Sequence, residues 1–262
     1  MGCSVSGRAG VVCEGAAGAV RRGARPFGAF CAAVLMGGTG GPTLAEETWQ
    51  LCHGVGWEVT GADPEVRAAV CAGVERAASV LQGCSIPVAP TVAIRVRVLD
   101  VLPVSCGRPV YGLFDAEAGE IQLGDPRLCV EIAPPGTMFD LLPLDIAEMA
   151  LAAHEATHAL LYAGGLGAEH RLEHEFIAAV VQFAVLPEAD RDALVRQWPY
   201  ALASSDRPLA GLNEVLLAMK PARFQAGAWQ VHAAQPDGCA LLRDLVSGAQ
   251  RLPAMPEIWT AP

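Results

Sequence analysis

The alternation of hydrophobic and polar residues predicts a small sheet in the first half of the chain. Residues 91–99 alternate strictly, with aliphatic side chains facing one way and two arginines the other, which is typical of a half-buried strand. Strands at residues 110–114 and 120–123, joined by a polar turn with glycine, are predicted to form a hairpin. Residues 46–60 look extended, with a further candidate strand at 57–60.

Helical periodicity dominates the rest of the sequence. Residues 65–82 carry apolar positions at helical spacing, and Asp63 and Pro64 supply a capping residue and a proline at the first helical position. Residues 124–141, rich in Pro and Gly, are predicted to be irregular. From Leu144 onward the pattern predicts helices over residues 144–162, 168–186, 187–198, 210–219, 221–233 and 239–250. The expected fold is α+β: a small N-terminal sheet with one helix, then a mostly helical C-terminal half.

The predicted helix at 144–162 contains the one motif with a clear chemical meaning. His154 and His158 are four residues apart, so both imidazoles share a helix face and can reach one ion. Glu155 projects beside them and can accept a proton from a water held at that ion. This His-Glu-x-x-His arrangement predicts a single zinc ion with Glu155 as a general base.

Two histidines supply only half of a catalytic zinc site, which normally takes three protein ligands and a water. The candidates for the third ligand lie at the start of the next predicted helix: Glu169, His170, Glu173 and Glu175. The core-facing stripe of that helix is Leu172, Phe176, Ala179 and Phe183. Glu173 and Glu175 flank this stripe, whereas His174 is expected to point nearly opposite to it. The pattern favours a glutamate without deciding between Glu173 and Glu175.

Between about residues 105 and 185 the chain resembles the gluzincin branch of the zincin metallopeptidases. Their third ligand is a glutamate on the next helix, often in a Leu-x-x-Glu-Gly-x-Ala context, and Leu172 to Ala178 matches this spacing. The resemblance therefore implies a zincin-like fold in which Glu175 is the third ligand. The chain departs from the family pattern at Phe176, where Gly is usual, and at Ala179, where an acidic residue normally orients the ligand histidines.

The resemblance also implies an activity, a substrate site and a further residue. It implies a zinc metallopeptidase that hydrolyses peptide bonds. The hairpin residues Tyr111, Gly112 and Leu113 are similar in placement to the zincin edge strand that binds extended substrate. His232, in a late helix, is a candidate for stabilising the oxyanion, as a downstream His or Tyr does in similar enzymes.

Two other readings of the motif stay open. The chain is alternatively a non-catalytic zincin-fold module that binds a partner or serves envelope assembly, with a structural metal site. An intact Glu155 favours the enzyme, because a purely structural site has no use for that residue. A calcium-binding protein is a third possibility, but the acidic residues lack the loop spacing that calcium sites require.

The first 45 residues resemble a targeting segment. Arg21, Arg22 and Arg25 precede a short apolar run at residues 27–36, and small residues at 43–45 suit a signal peptidase. We expect export to the periplasm or beyond, with residues 46–262 forming the metallopeptidase domain. The alternative is an N-terminal extension on a cytosolic protein. Abundant Ala and Gly with almost no Lys is typical of a high-GC bacterial genome.

The net charge limits the classes of binding partner, and the cysteine content predicts disulfides. The net charge of −10 becomes −13 when residues 1–45, with four Arg and one Glu, are removed. Such a surface should repel nucleic acids and anionic membranes, and no stable membrane span is expected in the mature chain. The expected partner is thus a peptide or protein substrate. Up to three disulfides are predicted among the six remaining cysteines: Cys52, Cys71, Cys84, Cys106, Cys129 and Cys239.

Overall fold

A computed structural model describes residues 48–88, 94–105, 108–200 and 208–254, together with two short strands near the start of the chain. These strands, β1 (Ser4–Ser6) and β2 (Gly10–Val12), pair antiparallel within the unit Met1–Glu47. The predicted targeting segment and its cleavage site otherwise lie outside the described residues. All further elements belong to a second unit, Thr48–Pro262.

The second unit contains the predicted sheet, which has five strands: β3 (Gln50–Cys52), β4 (Trp57–Thr60), β5 (Arg95–Leu99), β8 (Gly112–Asp115) and β9 (Glu120–Gly124). Their order is β3-β4-β5-β9-β8, with β4, β5 and β9 parallel and the outer strands β3 and β8 antiparallel to their neighbours. A separate two-stranded ribbon pairs β6 (Val104–Ser105) with β7 (Arg108–Pro109). The predicted hairpin is confirmed as β8 and β9.

Only one face of the sheet is fully covered. In β5 the side chains of Val96 and Val98 are buried while Arg95 is exposed. In β9 Ile121 and Leu123 are completely buried, whereas Glu120 and Gln122 are half-buried. This period-two burial is the pattern predicted for residues 91–99, of which residues 91–93 lie outside the described part of the chain.

The helices carry most of the core. Those of four residues or more are α1 (Pro64–Gly83), α2 (Pro126–Ile132), α3 (Met138–Leu141), α4 (Leu144–Ala163), α5 (Arg171–Ala184), α6 (Glu188–Gln197), α7 (Glu214–Met219), α8 (Pro221–Ala233) and α9 (Gly238–Ser247). A single turn of 3-10 helix, Ala168–His170, precedes α5. The predicted α+β class is confirmed, and most of the predicted helices agree with the structure to within a few residues.

Close packing of α1 against α4 fixes the position of the motif helix. A Cβ on Gly73 would lie 2.2 Å from the carbonyl oxygen of Met149, so only glycine permits this approach. Helix α1 also packs against β3 and β4, while α4 packs against β8 and β9. Helix α5 then packs against α4 on one side and α8 on the other. The motif helix is thus enclosed by the sheet and two helices.

Three local predictions were wrong. Residues 124–141 contain α2 and α3, which are too short to show a helical period; Asp125 caps α2 by accepting a 2.8 Å hydrogen bond from the Arg127 N–H. Asp63 occupies the N-cap position of α1, but its carboxylate pairs with Arg127 at 2.8 Å instead of capping the helix. Helix α7 begins at Glu214 because the Asn213 side chain caps it there.

Two disulfides reinforce this arrangement. Cys52–Cys71 joins β3 to α1, and Cys84–Cys239 joins the end of α1 to α9 across 155 residues of sequence. Cys129 is a buried free thiol, and Cys106 lies outside the described residues. Among the described residues, no helix combines the length and apolarity needed to cross a membrane.

Candidate metal centre

The two motif histidines face each other from successive turns of α4. Their Nε2 atoms are 3.2 Å apart, and both side chains lie in the largely buried middle of the helix. Glu155, between them in sequence, is also buried. The structure therefore places the imidazoles of His154 and His158 side by side on one face of α4.

Glu175 reaches the same point from α5. One carboxylate oxygen lies 3.6 Å from His154 Nε2 and the other 4.0 Å from His158 Nε2. Tetrahedral ligands at about 2.0–2.1 Å from zinc lie about 3.3–3.4 Å from one another, so the separations between these atoms fit one small ion. Within the described part of the chain, these three residues form the group whose ligand atoms could hold a metal.

The other candidates for the third position point elsewhere. Glu173 is buried, and its carboxylate accepts a 3.1 Å hydrogen bond from the backbone N–H of Leu252. Glu169 is mostly exposed, and its Oε1 lies 3.6 Å from Nε2 of His170, its neighbour in the 3-10 turn. The structure thus brings Glu175, and not Glu173, to the two histidines.

Gln182 provides the polar group beside the ligand histidines that Ala179 cannot provide. Ala179 is fully buried and offers no polar group, but Gln182 lies seven residues after Glu175, two turns along the same face of α5. Its Oε1 lies 3.1 Å from His154 Nδ1, and its Nε2 donates to the sulfur of Met138 at 2.9 Å. An amide oxygen can only accept, so His154 donates its Nδ1 proton to Gln182, and Nε2 is the ring nitrogen directed at Glu175.

His174, expected to lie opposite the apolar stripe of α5, is itself buried. Its ring stacks on that of His158 with centroids 5.7 Å apart. Its Nε2 lies 3.1 Å from the carbonyl oxygen of Leu166. The reason is that α5 is enclosed on almost every side, so residues opposite its apolar stripe are covered as well. On a helix that is buried on nearly all sides, the position of a histidine relative to the apolar stripe does not show whether it is exposed.

The charges of the three candidate ligands are coupled. Burial alone would raise the pKa of Glu175, but the hydrogen bond from His154 and the positive charges nearby lower it to about 2. Burial lowers the pKa of His158 to about 3. Burial also opposes the charged form of His154, yet its bond to Glu175 and the carboxylate charges raise its pKa overall. These interactions favour an ionised Glu175, a neutral His158 and a protonated His154.

Glu155 has the properties of a proton acceptor near neutral pH. Burial raises the pKa of its carboxyl to about 7, even though the His154 charge and a backbone hydrogen bond from Phe114 act in the opposite direction. A carboxyl whose pKa lies close to the working pH can both take up and release a proton during a reaction.

These residues open into a cleft of about 720 Å³. The predicted substrate residues Tyr111, Gly112 and Leu113 line it, next to the candidate ligands His154, His158 and Glu175. Gly112 and Leu113 belong to β8, the last strand of the sheet on that side. The structure therefore brings the predicted edge strand and the predicted ligands to one cleft.

His232 does not join this group. It lies near the end of α8, where its ring is 5.6 Å from that of Trp229 and its Nε2 packs closely on Gly238. It is not part of the cleft wall. Tyr162 does line the cleft, with an edge contact to Phe114 at a centroid distance of 5.9 Å.

Comparison with known proteins gives a family but no activity. The profile of a family described as "Family of unknown function (DUF6639)" matches residues 57–254, which include every element from β4 to α9. No curated protein and no solved structure matches the chain significantly.

Proposed function

We propose that this protein, which belongs to the family of unknown function DUF6639, is an exported, zinc-dependent peptidase of zincin-like fold. The convergence of His154, His158 and Glu175 beside the buried Glu155 carries the proposal. Two imidazoles and one carboxylate are the protein ligands of a common class of catalytic zinc site, which leaves one position for water or substrate.

The donor set and its surroundings fit zinc. Two nitrogen ligands and one oxygen ligand suit zinc better than calcium or magnesium, which prefer oxygen alone. Zinc bound there would supply Lewis-acid chemistry, activating a water and polarising a carbonyl group. Gln182 would hold His154 with Nε2 directed at the ion, and the stacked ring of His174 would hold His158.

Glu155 would perform the proton transfers. Its pKa of about 7 allows its carboxylate to accept a proton from the attacking water and then deliver that proton to the leaving amine. The Phe114 N–H bond keeps the carboxylate in place between the two transfers. The cleft opens directly onto Glu155, so a substrate carbonyl can approach it from that side.

The substrate would be a peptide in extended conformation. Among the described strands, β8 has a sheet neighbour on one side only, and it lines the cleft through Gly112 and Leu113. An extended peptide can add to such an edge through main-chain hydrogen bonds, which places its carbonyls in a regular row. This arrangement supports an antiparallel substrate running past Glu155.

The proposal that the protein is exported rests on its disulfides. Two disulfides within the described residues are typical of proteins that fold in oxidising compartments. The N-terminal arginines and apolar run of the sequence are compatible with a signal for that route.

The test uses Glu155→Gln in the full chain, with Glu169→Gln as the matched control because the Glu169 side chain is 73% exposed. We expect Glu155→Gln to abolish cleavage of a quenched fluorescent peptide library while zinc stays near one per chain. Glu169→Gln should retain both. Equal loss of zinc and activity in Glu155→Gln would instead indicate a structural metal site, and a wild-type chain that cleaves no peptide when fully loaded would refute the peptidase.

A further inference from the structure

The wall of the cleft contains one permanently cationic side chain. Among the described residues that line it, the only Lys or Arg is Arg171, the first residue of α5. The formal anions of the same wall are Glu155 and Glu175. The other lining residues are uncharged or are histidines, and many of them are apolar, such as Leu113 and Trp198.

Arg171 has no side-chain partner among the described residues, unlike several other arginines of the protein. It is exposed and makes no hydrogen bond or ion pair with any described residue. By contrast, Arg127 pairs with Asp63 at 2.8 Å, and Arg243 pairs with Asp237 at 3.4 Å. The guanidinium of Arg171 therefore has all of its donors available to a ligand.

Its placement directs that charge at the proposed ligands. Arg171 and Glu175 are four residues apart in α5 and so share a helix face. The positive charge of Arg171 acts on both Glu175 and His158. Without a metal, Arg171 would help to balance Glu175. With a divalent cation in place, that balance is exceeded, and the formal charge at the cleft becomes +1 even when Glu155 and Glu175 are both ionised.

A local positive charge is unusual in this protein, whose net charge is −10. A neutral peptide backbone would leave the charge at the cleft uncompensated, whereas a carboxylate would neutralise it. Arginine binds carboxylates through two parallel N–H···O bonds, which are among the strongest hydrogen bonds in proteins. The apolar remainder of the wall would accommodate hydrophobic side chains on either side of such a group.

We infer that Arg171 forms a carboxylate subsite, so that the preferred substrates are hydrophobic peptides bearing a carboxylate close to the scissile bond. This inference rests on the proposed function for its metal charge and its reaction. The carboxylate can come from a free peptide C-terminus or from an acidic side chain, and both sources present the same chemistry to the guanidinium.

The experiment measures binding without turnover. The zinc-loaded full chain carrying Glu155→Gln is titrated calorimetrically with three peptides: N-acetyl-Leu-Phe, its C-terminal amide, and N-acetyl-Glu-Phe amide. We expect at least one carboxylate peptide to bind about tenfold more tightly than the neutral amide, a difference of about 1.4 kcal/mol. A preference for the first peptide identifies the C-terminus as the source, and a preference for the third identifies an acidic side chain.

Arg171→Gln in the same background should remove that preference. Arg196→Gln is the matched control, because Arg196 is an exposed residue of α6 outside the cleft wall and its loss changes the net charge equally. In the active enzyme, Arg171→Gln should raise KM for carboxylate peptides with little change in kcat and with unchanged zinc content.

The two proposals fail in different ways. The subsite would be refuted if the neutral amide bound equally well, if neither carboxylate peptide bound, or if the preference survived Arg171→Gln. Cleavage of neutral peptides would in that case still support the peptidase. Carboxylate binding that depends on Arg171, in a wild-type chain that cleaves no peptide, would support the subsite and refute the peptidase.

Discussion

Gly112 of β8 lies directly against the carboxylate of Glu155. A Cβ at position 112 would come within 2.7 Å of both Cγ and Oε1 of Glu155, closer than Cβ atoms approach other heavy atoms in folded proteins. Two residues further along the strand, the Phe114 N–H donates to the same carboxylate. Strand β8 thus packs closely on the Glu155 side chain and holds the carboxylate of the proposed base through the Phe114 N–H.

We predict that Gly112→Ala lowers peptide hydrolysis by at least about tenfold without releasing zinc. The added methyl group would push Glu155 away from its position, and misplacing a catalytic group by about 1 Å can cost a hundredfold in rate. The measurement is kcat/KM on a cleaved peptide, together with zinc content by metal analysis.

Gly83→Ala is the matched control for that experiment, since a Cβ there meets no atom within 4 Å. It should leave activity unchanged. Full activity in Gly112→Ala would show that the Glu155 carboxylate does not need the position it has beside β8.

Glu175→Ala and Glu173→Ala should have opposite effects. Removing Glu175 takes away one of three ligand atoms, so zinc affinity should fall by orders of magnitude. Removing Glu173 leaves the Leu252 N–H buried without its acceptor, which should cost about 1–3 kcal/mol of stability but leave zinc bound. Equilibrium dialysis against a chelator and thermal unfolding separate the two. If Glu173→Ala lost zinc and Glu175→Ala kept it, the third ligand would be Glu173 and not Glu175.

Zinc affinity should rise with pH in the acidic range and then level off. The pKa values of Glu175 and His158, about 2 and about 3, lie too low for these groups to compete with zinc above pH 5. The raised pKa of His154 means that one proton must leave before zinc binds. Affinity should therefore increase about tenfold per pH unit below the His154 pKa and become constant above it.

Calorimetric titration with zinc between about pH 5 and 8, in buffers of different ionisation enthalpy, would measure that proton. The Glu155→Gln variant removes the titration of the neighbouring carboxyl, whose pKa is about 7, and so isolates His154. An affinity independent of pH across this interval would contradict the proton assignment.

Glu148 should make the protein less stable as the pH rises. Its carboxyl is 1% exposed, and neither oxygen has a hydrogen-bond partner among the described residues. Burial, followed by the charge of Asp125, raises its pKa from 4.5 to about 8. Because the folded-state pKa is raised, its favourable contribution is complete below about pH 4.5 and is lost as the pH rises through 8. The total loss is on the order of a few kcal/mol.

Chemical denaturation of wild type and Glu148→Gln at about pH 5 and pH 8 checks this prediction. Wild type should lose stability between the two conditions, and the variant should lose much less because its amide does not ionise. Parallel losses in both proteins would assign the pH dependence to other groups.

Regular elements were predictable where the pattern was long enough to repeat. Helix α4 begins at the predicted Leu144 and ends one residue beyond the prediction, and α8 has the predicted bounds. The alternation of buried and more exposed residues in β5 was also predicted correctly. Helices α2 and α3 were missed because seven and four residues do not complete enough turns to show a period, although Asp125 followed by Pro126 repeats the start signal of α1.

The sequence by itself determined the motif helix and the spacing of His154, Glu155 and His158, because positions one and four residues apart on a helix have a fixed relation. Only the tertiary structure decided between Glu175 and Glu173, and only it placed Gln182 on His154 and Gly112 on Glu155. Those choices depend on the angle and depth at which α4, α5 and β8 meet. Packing between elements distant in sequence sets that geometry, and no local pattern of residues contains it.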